Sequence, residues 1–138
     1  MKTPYSFFLS IIMLLACHET QDPIIYDANP DGLIGTWQQV ERSYSIGGPQ
    51  ISENISDGPL MTFEDNGLFT LTKFNECSTG TYILDGDELT FTFDCKDIEE
   101  GVNPFTFSVY FLDDYLKVSP KTTVCIEGCS AKFKKLKD

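Results

Sequence analysis

At Phe105, Phe107, Val109 and Phe111 every second residue is apolar, and Thr106, Ser108 and Tyr110 stand between them. A strand sends successive side chains to opposite faces, so this spacing makes one greasy face and one wetter face. It does not fit the 3.6-residue turn of a helix. The same period recurs through the chain. Leu89, Phe91 and Phe93 alternate with Thr90, Thr92 and Asp94, and Phe69 and Leu71 alternate with Thr70 and Thr72. Asp65-Asn66-Gly67 and Asp85-Gly86-Asp87 separate neighbouring runs, and these residues take the left-handed conformations of tight hairpins. Further strands are expected over Leu33–Ser43, Leu60–Glu64, Cys77–Leu84, Tyr115–Ser119 and Ala131–Leu136, with Lys121–Glu127 strand or irregular. No segment reads as a convincing helix. The expectation is an all-β, antiparallel domain, either a barrel or a sandwich. Eight strands suffice to close a barrel, and closure removes exposed edges.

The N-terminus has a different character. Met1-Lys2-Thr3 is basic, and Tyr5 to Leu15 is uncharged and largely apolar. About eleven residues is too short for a membrane span, so the segment reads as a signal peptide. Leu14-Leu15-Ala16-Cys17 resembles a bacterial lipobox. That resemblance implies removal of residues 1–16 and acylation of Cys17. Each buried CH₂ contributes about 0.8 kcal/mol, so several acyl chains anchor a protein firmly. The implied location is the envelope of a Gram-negative bacterium, on a lipid anchor at the outer membrane. Residues 17–32 are acidic and rich in Pro, Asp and Asn, and read as a flexible tether. Residues 33–138 form the domain.

The chain carries a net charge of −11. Without Lys2, 9 basic residues face 21 acidic ones, giving −12. Phosphate binding needs a basic footprint, so no nucleic-acid partner is expected. The acidity promotes solubility, with a cationic ligand or partner as the functional alternative. Aspartates 65, 85, 87, 113 and 114 fall at turns, where Asp serves local backbone bonds. The only His, His18, sits beside Cys17 and far from other ligating residues. There is no nucleophile elbow or phosphate loop. The chain is therefore expected to be a monomer without catalytic activity, cofactor or metal.

Four cysteines remain after Cys17: Cys77, Cys95, Cys125 and Cys129. An even number in an exported chain suggests two disulfides, with three possible pairings. Cys77 and Cys95 lie nine residues either side of Gly86. A hairpin centred there sets them opposite each other, with Cβ atoms about 4.5–5.5 Å apart. That register, however, turns Tyr82 and Leu84 outward, and a one-residue shift separates the two cysteines. A bulge at Gly80 would reconcile the two demands. Cys125 and Cys129 could close a five-residue ring around Gly128.

Gly35-Thr36-Trp37, which holds the only Trp, resembles the G-x-W signature of the lipocalin family. The tail from Cys125 to Phe133 is similar to the ending of short lipocalin-like lipoproteins. The resemblance covers about residues 33–136 and implies an eight-stranded up-and-down barrel. It also implies that Trp37 plugs the closed base beside Gly35, under a basic residue of the last strand, Lys132 or Lys134. Many lipocalins hold a small apolar molecule at the open end. Here the implied lining is Phe69, Phe91, Phe93 and Phe107. Ile51 and Ile55 would join them from the long Tyr44–Pro59 connection, read as a lid. The expected function is thus a membrane-anchored protein that binds or carries a small hydrophobic molecule. The alternative is a cavity-free structural or interaction lipoprotein acting through its surface.

Overall fold

The computed structural model describes residues 25–26, 30–73, 76–95, 103–121 and 128–137. The signal segment, Cys17, His18, Cys125 and most of Lys121–Glu127 lie outside the described residues.

Ten strands and one helical turn follow in order. They are β1 (Ile25–Tyr26), α1 (Pro30–Leu33), β2 (Gly35–Tyr44), β3 (Ile51–Asn54), β4 (Leu60–Phe63) and β5 (Leu68–Leu71). Then come β6 (Thr79–Asp85), β7 (Glu88–Phe93), β8 (Phe105–Leu112), β9 (Tyr115–Pro120) and β10 (Ser130–Lys135). All pairings are antiparallel. Eight strands close on themselves in chain order, from β2 through β4 to β10, with β10 returning to β2. This is the up-and-down barrel, and the sandwich is excluded. The two short strands extend the wall: β1 pairs with β8, and β3 with β2.

Part of the expected tether is therefore structured. Ile25 and Tyr26 pair with Leu112 and Phe111. Ile24-Ile25-Tyr26 is a β-branched and aromatic run inside an otherwise polar stretch, which suits a strand. Leu33, placed by sequence at the head of the first strand, instead ends α1 and is completely buried.

The hairpins follow their turn chemistry. Glu64 N donates to Leu68 O across the three-residue Asp65-Asn66-Gly67 loop, and Gly67 has φ +82°. Two-residue turns join Asp85 to Glu88 and Leu112 to Tyr115; Gly86 and Asp113 take φ +59° and +51° in them. With α1 these three turns form one end, the base. The connections after β2, β5, β7 and β9 form the other, the mouth.

Inside, the period-two faces meet. Met61, Phe63, Phe69, Leu89, Phe91, Val109, Phe111, Leu116 and Phe133 are all buried. Phe91 packs against Phe63, Phe69 and Phe107 with ring centroids 5.9, 4.7 and 5.6 Å apart. Phe93 meets Phe69 at 5.0 Å and Phe105 at 5.7 Å. All are edge-on except the stacked Phe63–Phe91 pair, and such contacts add about 0.5–1.5 kcal/mol per pair beyond area burial. The barrel interior along β4 to β8 is thus filled with rings.

Cys77 and Cys95 form a disulfide, with Cα atoms 5.4 Å apart. No bulge at Gly80 accompanies it. The β6–β7 ladder is continuous from Gly80↔Phe93 to Asp85↔Glu88. Tyr82 and Leu84 pack against the core, while Ile83 is 69% exposed. The bridge forms past the last rung, where strand alternation no longer fixes side-chain direction. Gly80 answers a different need: a Cβ there would collide with the Thr92 carbonyl and lie 2.8 Å from the Phe69 ring. Cys129 is also disulfide-bonded.

Candidate functional site

The base is built around Trp37, which is buried and donates from its indole N–H to Leu33 O at 2.8 Å. That bond requires the chain to turn back through α1. Phe111 packs on the indole at 5.8 Å. The cation over the ring is Lys135, its Nζ 5.3 Å from the Trp37 ring and 3.1 Å from Gly32 O. The expectation of Lys132 or Lys134 is corrected, and the reason is parity. Phe133 points inward, so Lys135 does too, directly opposite Trp37, while Lys132 and Lys134 face out. Lys132 lies over the Tyr115 ring at 4.5 Å, with Glu41 at 4.0 Å. Lys134 is exposed. Gly35, at φ +123°, leaves the path for the Lys135 stem: a Cβ there would sit 3.0 Å from its Cε. The base is therefore a structural lock.

The mouth holds a cavity that opens widely to solvent. A space of about 470 Å³ opens between β2, β8, β9 and β10. Small-molecule sites usually occupy about 300–1,000 Å³. Phe107, Val118, Pro120 and Ala131 supply an apolar floor. Gln39, Arg42, Ser43, Tyr44, Lys73 and Ser130 supply a polar wall, and Cys129 completes the lining.

One backbone irregularity makes that wall. Along β10, Lys132 pairs with Glu41 but Phe133 pairs with Gln39, so Val40 is an extra residue in β2. A β-bulge of this kind shifts the side-chain alternation by one. Below it Trp37 and Gln39 face in; above it Arg42 and Tyr44 do. The freed Val40 carbonyl accepts from Ile55 N at 2.8 Å. Residues 55–59, the break between β3 and β4, lie against the bulge, and Gln39 N donates to Pro59 O at 3.0 Å.

Arg42 stands opposite Glu53. Its Nε and Nη2 both reach Glu53 Oε2, at 2.7 and 2.6 Å, and the Tyr44 hydroxyl donates to Oε1 at 2.8 Å. Hydrogen bonds from Arg42 and then Tyr44 hold the Glu53 carboxyl below the ordinary carboxylate range. The bond to Glu53 pushes the Tyr44 hydroxyl up. Glu53 itself does not line the cavity.

Of the residues expected to meet a ligand, Phe107 alone lines this cavity. Phe69 and Phe91 are buried deeper, and Phe93 joins their ring cluster. Ile51 is 38% exposed on β3, and Ile55 lies beside the bulge; neither lines the space. The segment read as a lid is, over β3, an extension of the wall, because it hydrogen-bonds in register to β2. Ile46 at its tip is 79% exposed. Among the described residues, no group of three or more His, Cys, Asp or Glu comes together as a metal site.

An eight-stranded up-and-down barrel, closed at one end and open at the other, is the architecture of ligand-binding and carrier barrels. The family comparison agrees: a lipocalin-like domain model matches residues 33–117, and the chain belongs to that family. No curated protein matches it.

Proposed function

We propose that this protein binds or carries a small hydrophobic molecule in the mouth cavity while tethered to a bacterial membrane through acylated Cys17. The supporting observation is the space of about 470 Å³ over an apolar floor of Phe107, Val118, Pro120 and Ala131. Because rings fill the interior along β4 to β8, a ligand lies over β8, β9, β10 and β2. Displacement of a fluorescent fatty acid tests the binding. A hydrophobic compound library with no member that binds or displaces would sink this reading and favour a surface-acting lipoprotein. Metabolic labelling with an alkyne-bearing fatty acid tests the tether. Label is expected on the wild type and absent from Cys17→Ser. The family's fold is a binding one, and no catalytic role is proposed for any residue.

A further inference from the structure

The protein is strongly acidic, yet the side chains around its cavity are not. Arg42 and Lys73 are the charged residues among the described lining, and no carboxylate joins them. Glu53, the nearest partner of Arg42, takes both of its bonds on one oxygen, from Nε and Nη2. Its other oxygen is held by Tyr44. The guanidinium is a planar fork of five donors. Two of its nitrogens are thus engaged by Glu53, and Nη1 has no bond to the described residues.

From this arrangement we infer that the cavity selects amphiphiles with a single anionic head. Arg42 is the head-binding residue, and the Phe107, Val118 and Ala131 floor takes the apolar tail. This rests on the proposed ligand-binding function and names its ligand class. Glu53 is a positioning residue: it holds the guanidinium from one edge and leaves the other for the ligand. A carboxylate or sulfonate can accept in parallel from such an edge, and bonds of this kind are stronger than neutral ones. Tyr44 fixes Glu53 in turn. The Glu53 charge is offset by Arg42 and Tyr44, no other carboxylate is among the described lining, and the rest of the overall −11 opposes an anion at longer range. At about 0.15 M salt the screening length is near 8 Å, so contact chemistry in the cavity outweighs it. The bulge at Val40 brings this cation to the inner face.

The test is calorimetry at 0.15 M salt on the full chain carrying Cys17→Ser, so that no attached acyl chain competes. Dodecanoate, dodecanol and dodecyltrimethylammonium share one tail and differ in the head. Dodecanoate is expected to bind at least about tenfold tighter than dodecanol, equivalent to about 1.4 kcal/mol. The cationic probe is expected to bind weakest. Arg42→Gln should bring the dodecanoate preference over dodecanol below about twofold. An unchanged urea midpoint read by Trp37 fluorescence shows that the variant is folded. Equal binding of dodecanoate and dodecanol to the wild type overturns the inference while leaving a ligand-binding barrel intact. Binding of none of the three probes counts against the proposed function as well. A preference that survives Arg42→Gln but disappears in Lys73→Gln overturns the assignment to Arg42.

Discussion

Replacing Lys135 by Met removes the charge at the barrel base and keeps most of the stem. Two interactions are lost. The bond from Nζ to Gly32 O involves a charged donor, which is worth about 1.5 kcal/mol at the lower end of its range. The contact over Trp37 at 5.3 Å adds about 0.5–1 kcal/mol. Part is returned, because a half-buried ammonium no longer has to be desolvated. The expected net loss is about 1–2 kcal/mol, or about 4–8 °C in Tm for a domain of roughly this size. Trp37 is the only Trp, so its fluorescence reports the base directly during thermal or urea unfolding. Lys134→Met is the control; it sits on the outer face and should change stability by less than about 0.5 kcal/mol. If Lys135→Met leaves the midpoint unchanged, or Lys134→Met costs as much, the parity argument for the last strand is wrong.

Two further outcomes are expected. Gly80→Ala forces a methyl into the Thr92 carbonyl and the Phe69 ring, and should cost about 1–3 kcal/mol in urea unfolding, as over-packing does; a neutral result would mean the β6–β7 contact is looser than described. Glu53 has a depressed carboxyl pKa in the folded state. Its contribution is therefore present above the ordinary carboxylate pKa and is lost as pH falls through the lowered value. Carbon-detected NMR titration should find a low Glu53 midpoint that moves back up in Arg42→Gln, and an ordinary midpoint in the wild type would refute the pairing.

Much of the fold was legible because it is local. The alternation at Leu89–Phe93 and Phe105–Phe111, with Gly67 and Gly86 between strands, specifies hairpins without reference to distant residues. Closure of β10 onto β2 is not local, and the G-x-W resemblance carried that step. The choice of Lys135 was readable in principle: Phe133 is the large apolar residue of its strand and sets the inward parity. Arg42 and Tyr44 were not readable. Counting in twos from Trp37 puts them on the outer face, and Val40 carries no Gly or Pro to mark an interruption. The cavity was misplaced for a related reason. Phe69, Phe91 and Phe107 look alike along the chain, and only their neighbours in the closed barrel decide which are core and which is floor.

Val40 has a consequence for how chains of this design diverge. A one-residue slip exchanges the two faces of a strand. Were the ladder regular, with Val40 paired in it, Glu41 would turn toward the lumen and Arg42 and Tyr44 away from it, whereas deleting Val40 would keep Glu41 opposite Lys132 and Arg42 opposite Ala131. A shift of the bulge alone would thus exchange Arg42 for Glu41 at the entrance, beside Lys73, with no amino-acid substitution. In such a barrel, moving a bulge along a strand is as potent a route to a new cargo as changing a side chain, and a comparison of related proteins that scores substitutions alone would overlook it.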